Sequence, residues 1–374
     1  MMMLRFPVAR PRLPTADAIL PYLRQIDENQ YYSNFGPLAG TVEARLAERY
    51  GIDAACVTTV SNATAGLTAA LQAEARARKR NVNDGAAYCL LPAWTFVATL
   101  HAVLAAGLEP YLLDVDEDSW SLTPQAVENA LSRIPGEPVA VVPVSPFGRP
   151  YDMASWDDFS RRTGLAVVMD SAAAFDKGDV GLSPAVFSLH ATKVLAAGEG
   201  GFAVSTDVDL INEIRKCINF GFFGDRVAQS RAINGKMSEY HAAVTLAALD
   251  AWPQTRRIFD DIAAAYREGF AADNRIRLLP GTGDDYASST IMITREDPLP
   301  PGFDEALAAR GVGTRRWWGG GIAKQVAYRR FSSDLLPVTD WLAQRCIGLP
   351  CYPGLERDEI LEIAAIVGDT LRGR

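Results

Sequence analysis

The chain has 374 residues, of which 48% are hydrophobic and 22% charged, the balance of an ordinary globular protein. Its net charge of −8 argues against nucleic acid or an anionic membrane surface as the main partner, and three histidines leave little room for a histidine-rich metal site. No apolar stretch approaches the roughly 20 residues that a membrane-spanning helix needs. The length favours two domains, or one large domain with an extension.

The N-terminal stretch "MMMLRFPVARPRLP" begins basic and is interrupted by proline, which predicts a structured arm and not a signal peptide. The five cysteines are odd in number, show no CxxC spacing and sit mostly in apolar runs such as "AYCLLP". This pattern favours buried free thiols over disulfides, and therefore a reducing compartment. We predict a cytoplasmic protein.

Short apolar runs alternate with helical patterns over the first two thirds of the chain. Continuous Val/Leu runs separated by helices indicate strands buried on both faces of a large, mostly parallel sheet. The runs are "ACVTTV" (55–60), "YCLLP" (88–92), "PYLLDV" (110–115), "VAVVPV" (139–144) and "LAVVMD" (165–170). Ligands of such sheets bind beyond the carboxyl ends of the strands. We therefore expect residues 62–64, 94–96 and 145–147 and Asp170 to face one crevice.

After residue 250 the rhythm changes to long helical patterns around a short apolar run, "STIMITRE" (289–296). This change predicts a smaller α+β domain at residues 251–374, whereas residues 1–250 hold the N-terminal arm and the large domain. The basic run "ARARKR" (75–80) is interpreted as a solvated helix end and not as a binding patch.

A lysine, Lys193, follows a buried strand directly in the stretch "FSLHATKVLAAGEGG" (187–201), among small residues. A lysine in bulk solvent needs no such surroundings, and a core lysine is costly unless it is paired or neutralised. Asp170 ends the preceding strand, and alone it could merely cap the next helix. Together, an amine nucleophile and a carboxylate about one strand away meet the requirement of pyridoxal 5'-phosphate, whose ring nitrogen must stay protonated.

The turn "SNATAG" (61–66), between a strand and a helix, offers hydroxyls, backbone N–H groups and the positive end of a helix dipole to the cofactor's phosphate. Thr64 alone fits an ordinary first-turn helix residue equally well. Ser188 could add a second hydroxyl. Phe96, in "PAWTFVAT", offers an aromatic face to the ring. The glycines at 198–201 let the backbone turn away from the amine.

Further motifs lie along nearly the whole chain. In order they are "NFGP" (34–37), "SNATAGL", "PAWTFVAT", "LLDVD", "VVPVSPFGRPYDM", "VVMDSAAA", "FSLHATKVLAAGEGG", "NFGF" (219–222), "INGKMSEYHAA" (233–243) and "GLPCYPGL" (348–355). This set resembles the DegT/DnrJ/EryC1/StrS aminotransferases. The resemblance implies a sugar-nucleotide aminotransferase with the α/β fold type I of aspartate aminotransferase, a large domain with a mixed, mostly parallel sheet plus a small α+β domain.

The resemblance also implies roles at the pyridoxal phosphate site. Lys193 would be the Schiff-base lysine and the general acid/base of the reaction. Asp170 would pair with the pyridine nitrogen, and Phe96 would stack on the ring. Three residues would hold the phosphate: Ala63, Thr64 and Ser188.

The motif that contains Asn234 resembles a segment that crosses between subunits. By this resemblance Asn234 would reach the phosphate of the other subunit's cofactor, which makes a homodimer with shared active sites obligatory for activity. From the residues alone, "INGKMSE" fits an ordinary loop that leads into a helix.

One departure from the family pattern follows the aspartate. Family members commonly continue with Ala-Ala-Gln or Ala-Ala-His, whereas this chain has Ser171, Ala172 and Ala173. Ala173, although placed at the cofactor, would lack the polar group that usually sits near the cofactor's phenolic oxygen. Whether the nearby His190 compensates stays open.

The resemblance implies L-glutamate as amino donor and a nucleotide-linked keto sugar as acceptor. The motifs "SLHATKV", "INGKMSE" and "TRRWW" (314–318) are most similar to those of enzymes that form dTDP-4-amino-4,6-dideoxyglucose. Arg315 and Arg316 could meet the nucleotide diphosphate, and surface pairing is the alternative for both. Trp317 or Trp318 could pack against the sugar or the base.

Other functions remain as alternatives. Amination could occur at C3 of a 3-keto-6-deoxy sugar nucleotide. A sugar dehydratase of the same fold typically has histidine in place of the lysine, so the presence of Lys193 argues against it. A non-catalytic homologue would have lost Lys193 or Asp170, and both are present.

Overall fold

The computed structural model describes residues 4–78 and 87–373, and its main feature is a large mixed sheet. The strands of this sheet are β1 (Val57–Val60), β2 (Ala87–Pro92), β3 (Glu109–Leu113), β4 (Glu137–Val141), β5 (Ala166–Val167), β6 (Met169–Asp170), β7 (Ala185–Ser188) and β8 (Gly201–Val204). Their order is β3-β2-β4-β5, all parallel, followed by β6-β7-β8-β1. β7 runs parallel to β6, and β8 runs antiparallel to both of its neighbours. The predicted mixed, mostly parallel sheet is confirmed.

The two halves of the sheet are one layer, because β6 resumes one residue after β5. The Asp170 N–H donates to the Pro143 carbonyl at 2.9 Å, and the Ser145 N–H donates to the Asp170 carbonyl at 3.0 Å. These bonds continue the pairing of β4 with the β5–β6 strand beyond the end of β4. They bring Ser145, the first residue of the predicted group 145–147, and Asp170 to the same carboxyl edge of the sheet.

Helices cover the large sheet. They are α1 (Ala16–Asn29), α2 (Pro37–Tyr50), α3 (Ala63–Ala77), α4 (Val97–Ala105), α5 (Pro124–Ala130), α6 (Met153–Thr163), α7 (Val208–Cys217), α8 (Glu239–Asp250), α9 (Trp252–Phe270), α10 (Phe303–Ala309), α11 (Pro337–Arg345) and α12 (Arg357–Leu371). α3 lies on the sheet between α4 and α7. A Cβ on Gly66 of α3 would lie 2.8 Å from Val186 of β7, so the absence of a side chain there permits the close approach.

The C-terminal part of the chain holds a second, antiparallel sheet with the order β11-β10-β9. Its strands are β9 (Arg277–Leu278), β10 (Ile291–Thr294) and β11 (Ile347–Leu349). The predicted boundary near residue 250 falls at the junction of α8 and α9. We propose residues 251–374 as the small domain.

The N-terminal arm is structured over its described residues, as predicted, and it begins against the C-terminal part of the chain. Phe6 is buried and exchanges backbone hydrogen bonds with Gly311 and Gly313. The Cys351 N–H donates to the Val8 carbonyl at 3.1 Å. The arm then runs to α1, so it ties the C-terminal part to the large sheet. This return could not be predicted from the sequence, because the partners lie more than 300 residues apart.

The edge strand β3 is covered by a segment from the C-terminal part. The Leu112 N–H donates to the Ser332 carbonyl at 3.0 Å, and the Asp334 N–H donates to the Leu112 carbonyl at 3.0 Å. The Asp334 carboxylate also pairs with Arg133 and accepts the Tyr111 hydroxyl. Because an uncovered edge strand invites pairing with other chains, this cover protects the sheet.

The cysteines, the helix lengths and the basic run at 75–80 bear on three other predictions. All five cysteines are buried and free, so the prediction of free thiols is confirmed. None of the described helices is long and apolar enough to cross a membrane. In the run "ARARKR", α3 ends at Ala77, and Lys79 and Arg80 lie outside the described residues.

Candidate active site

Lys193 sits in a closed loop between the antiparallel strands β7 and β8. The loop is held by backbone bonds from Ala191 to the Gly198 carbonyl at 2.8 Å and from Lys193 to the His190 carbonyl at 2.9 Å. Gly198 and Gly200 adopt φ values of +85° and +142°, which only glycine adopts easily. The glycines therefore let the chain reverse beside the lysine, as the sequence predicts.

Asp170 lies at the carboxyl end of β6, close enough for its charge to act on Lys193. Its side chain is 5% exposed. Burial raises the pKa of Asp170, although hydrogen bonds and the charge of Lys193 act in the opposite direction. Burial lowers the pKa of the Lys193 ammonium, and the charge of Asp170 opposes this. The structure thus brings the two predicted residues together, with a lysine biased towards its neutral, nucleophilic form.

Two buried threonines lie beside Asp170, and the sequence analysis did not single them out. The Thr99 hydroxyl donates to Oδ2 of Asp170 at 2.8 Å, and the Thr95 and Thr99 hydroxyl oxygens are 3.0 Å apart. Oδ1 of Asp170 accepts the Ala172 N–H at 3.1 Å. The available signal was the pair of threonines four residues apart in "TFVAT", at the start of α4.

The residues predicted to hold a phosphate lie together at the start of α3. Asn62 caps the helix by accepting the Ala65 N–H at 2.9 Å, and Ala63 and Thr64 form the first turn. A Cβ on Gly201 of β8 would lie 3.1 Å from the Ala63 nitrogen. Gly201 is in turn the register partner of Ser188 in β7, whose hydroxyl accepts the His190 N–H. The start of α3, with its N–H groups and positive helix end, therefore lies next to the strand pair that carries Ser188.

Phe96 and Ala173 lie on the same edge in different settings. Phe96 is the residue before α4, and its side chain is 56% exposed. An aromatic face is thus open beside the crevice. Ala173 is half-buried, and its carbonyl would be 2.6 Å from a Cβ on Gly148. His190 hydrogen-bonds Thr192 at 2.9 Å and is exposed.

Asn234 lies next to the turn that starts α3. The Ser61 N–H donates to the carbonyl of the adjacent Gly235 at 2.6 Å. The Asn234 side chain is exposed, and its oxygen accepts Nζ of Lys236 at 2.8 Å. Nζ of Lys236 also lies 4.3 Å from the centre of the Phe220 ring.

The surface near Asn234 carries exposed aromatic side chains. Tyr32 and Tyr240 stack with their ring centres 6.4 Å apart. Phe35 and Phe220 adopt φ values of +58° and +56°, which are strained for residues with bulky side chains. The exposed aromatic residues of segments 31–35 and 220–240 are Tyr31, Tyr32, Phe35, Phe220, Phe223 and Tyr240. Exposed large apolar side chains in this number are typical of a protein interface.

The segment "TRRWW" is divided between two environments. The Arg316 guanidinium binds the Asp304 carboxylate at 3.0 Å and the Ala343 carbonyl at 3.1 Å, as the surface-pairing alternative describes. The exposed Arg315 guanidinium lies 4.7 Å from the centre of the Trp317 ring. Trp317 lines the same cavity as Lys193, whereas Trp318 stacks on Phe147 at 4.2 Å.

That cavity has a volume of about 300 Å³ and lies between the lysine loop, the N-terminal arm and the C-terminal part. Arg10 and Arg12 of the arm line it, together with Trp317 and Tyr352. Both arginines are exposed. The wall that holds Lys193 is therefore bordered by positive charge, which suits an anionic substrate.

The residue set fits pyridoxal phosphate. The groups present are an amine at Lys193 with a lowered pKa, a buried carboxylate at Asp170 and an exposed aromatic ring at Phe96. The start of α3 provides N–H groups for the phosphate. Close packing at Gly201 supports the fit, because a side chain there would fill the space beside the Ala63 N–H.

The chain is similar to known proteins along nearly its whole length. The DegT/DnrJ/EryC1/StrS aminotransferase family matches residues 15–368. A relative from Escherichia coli, named dTDP-4-amino-4,6-dideoxy-D-glucose transaminase, is 28% identical over 380 residues, with coverage of 96% of this chain and 97% of the relative. A relative of the same name from Shigella dysenteriae is 32% identical over 251 residues, with coverage of 65% and 64%.

Solved structures show the same fold. The crystal structure of DesI in the presence of its TDP-sugar product has a TM-score of 0.85 and 30% identity, with coverage of 100% of this chain and 95% of DesI. A putative PLP-dependent aminotransferase from Bacillus cereus has a TM-score of 0.87 and 26% identity, with coverage of 97% and 99%. The fold type I prediction is confirmed.

Proposed function

Since this chain belongs to the DegT/DnrJ/EryC1/StrS aminotransferase family, we propose that it transfers an amino group from L-glutamate to C4 of dTDP-4-keto-6-deoxyglucose. The chain is an aminotransferase. The sugar and the C4 position are supported by two relatives named dTDP-4-amino-4,6-dideoxy-D-glucose transaminase and by the likeness to DesI with its TDP-sugar product. The observation that carries the proposal is the half-buried Lys193 in the loop after β7, with the buried carboxylate of Asp170 close enough for its charge to act on the lysine.

Lys193 is the proposed catalytic residue. When bound, pyridoxal phosphate supplies an electron sink for the charge left when a proton leaves the amine-bearing carbon. Lys193 would hold the cofactor, and its side-chain amine would accept and return that proton as a general base and acid. Burial favours this role, because it lowers the pKa of the Lys193 ammonium.

Other side chains are proposed to contact the ring and the phosphate of the cofactor. Asp170 would balance the positive charge of the ring nitrogen, and Phe96 would cover one face of the ring. The first-turn N–H groups and hydroxyl of α3, together with Ser188, would hold the phosphate. Ala173 offers no side-chain donor to the phenolic oxygen.

We propose a homodimer with shared active sites. The exposed aromatic side chains of segments 31–35 and 220–240 support this, and the exposed Asn234 lies within the second segment. In the dimer Asn234 reaches the phosphate of the other subunit's cofactor. Mixing inactive Lys193→Ala and Asn234→Ala subunits should restore activity, because each mixed dimer regains one intact site. Failure of exchanged subunits to restore any activity would argue against shared sites.

The nucleotide end of the substrate has its own proposed contacts. Arg315 is exposed and lies beside Trp317. The guanidinium of Arg315 suits the diphosphate, and the ring of Trp317 suits the sugar or the base. Arg316, proposed from the sequence as a second diphosphate contact, would first have to leave Asp304. The cytoplasmic location stays a prediction that rests on the free thiols.

Product analysis tests the substrate proposal. The protein is incubated with L-glutamate and dTDP-4-keto-6-deoxyglucose, and the position of the amine is determined by NMR. The proposal predicts the 4-amino sugar. A product aminated at C3 from a 3-keto isomer, with no turnover of the 4-keto sugar, would establish the alternative.

A further inference from the structure

Three polar side chains form a buried line that ends at Asp170. Thr95 and Thr99 are 2% and 1% exposed, and Asp170 is buried beside them. The hydroxyl oxygens of Thr95 and Thr99 are 3.0 Å apart, and the Thr99 hydroxyl oxygen lies 2.8 Å from Oδ2 of Asp170. Buried hydroxyls of this kind are costly unless each is hydrogen-bonded.

The direction of these hydrogen bonds follows from proton count. An ionised carboxylate only accepts, and a threonine hydroxyl has one proton to give. Because Thr99 gives its proton to Asp170, its oxygen must accept the proton of Thr95. The result is a chain from Thr95 to Thr99 to Asp170, in which each bond polarises the next.

This chain opposes the effect of burial on Asp170. Burial alone raises the pKa of Asp170, which favours the protonated form. A protonated carboxyl cannot balance the positive charge of a ring nitrogen. Lys193 is the charged group that acts on Asp170 among the described residues, and it becomes neutral when it serves as a nucleophile. The hydroxyl chain, in contrast, includes no contact with Lys193.

We propose that Thr95 and Thr99 form a relay that keeps Asp170 ionised and oriented towards the cofactor's ring nitrogen, so that both are positioning residues of the aminotransferase. The proposal rests on the proposed pyridoxal phosphate site. The same short segment carries Phe96, which is proposed to cover the ring. The start of α4 therefore controls the ring face and, through Thr99, the ring nitrogen.

The test uses pyridoxamine 5'-phosphate, which binds without a covalent bond to Lys193 and keeps the pyridine nitrogen. Its dissociation constant is measured against pH for wild type, Thr99→Val and Thr99→Ser. Wild-type affinity should fall as pH drops through the pKa of Asp170. Thr99→Val removes a hydrogen bond to the charged form and raises that pKa further, so the midpoint of the fall should move up by about one pH unit or more. Thr99→Ser keeps the hydroxyl and should restore wild-type behaviour.

Thr245→Val is the matched control, because the buried Thr245 hydroxyl donates to its own helix, at the His241 carbonyl. It should leave the pH midpoint unchanged. An equal shift in Thr245→Val, or a wild-type midpoint in folded Thr99→Val, would overturn the relay. If Thr99→Val does not fold, Thr95→Val gives the decision, since a smaller shift in the same direction is expected and no shift refutes the relay. Wild type that fails to bind the probe would instead refute the cofactor site itself.

Discussion

Replacement of Asp170 by asparagine removes one charge from the proposed site while it keeps the shape of the side chain. Both carboxylate oxygens accept a donor, at 2.8 Å from Thr99 and 3.1 Å from Ala172. An asparagine can accept only one of these and must turn its NH₂ group towards the other donor. The substitution also removes the negative charge beside the ring nitrogen. Loss of one partner from a buried charge pair costs about 3–5 kcal/mol, equivalent to a fall of roughly 150- to 4,000-fold in rate.

The assay is the single-turnover reaction of the cofactor-loaded protein with L-glutamate, followed by the loss of the near-visible absorbance band. Asp157→Asn is the control, because Asp157 is also buried and accepts two backbone N–H groups, from Leu182 and Ser183, away from the lysine. The control should lose stability but keep the rate. An Asp170→Asn protein that binds the cofactor and reacts within about threefold of wild type would refute the assignment of Asp170.

Three further outcomes follow from the structure. Arg315→Ala should raise the KM for the sugar nucleotide about tenfold and spare the glutamate half-reaction, whereas Arg316→Ala should mainly lower the melting temperature. Steady-state kinetics and thermal unfolding measure the two effects. The reverse pattern would contradict the proposed role of Arg315 in substrate binding. Glu239→Gln should lower the free energy of unfolding by about 2 kcal/mol. The reason is that the Glu239 carboxylate, in a residue only 1% exposed, accepts two backbone N–H groups at the start of α2, at 2.8 and 2.9 Å. An unchanged denaturant midpoint would contradict this prediction. In the apoprotein, burial lowers the pKa of Lys193. The rate at which Lys193 reacts with pyridoxal phosphate should therefore rise with pH through a midpoint below that of an exposed lysine. A midpoint equal to that of free lysine would show that the amine is not desolvated.

Much of the fold could be predicted from the sequence because its strands are strongly marked. The continuous apolar runs before Asp170 are long enough to indicate buried parallel strands, and the structure has strands there. The strand β8 was missed because its four residues, "GFAV", follow glycines that indicate only a turn. A short antiparallel strand after a loop carries no periodic signal of its own.

The site shows the same division between local and distant information. Lys193 and Asp170 could be proposed because Asp170 ends a recognisable strand and Lys193 follows another within five residues, and ligands bind at that edge. The contact of Thr99 with Asp170 spans 71 residues and could not be read from spacing. Similarly, nothing near Arg316 in the sequence indicates that Asp304 binds its guanidinium. Side-chain pairing across the fold depends on packing that the local pattern does not contain.

The most direct test of the account is a two-step absorbance titration of the purified protein loaded with pyridoxal phosphate. L-glutamate should abolish the near-visible band, and dTDP-4-keto-6-deoxyglucose should restore it, in wild type but not in Lys193→Ala. A band that L-glutamate leaves unchanged, or a Lys193→Ala protein that responds like wild type, would contradict the account.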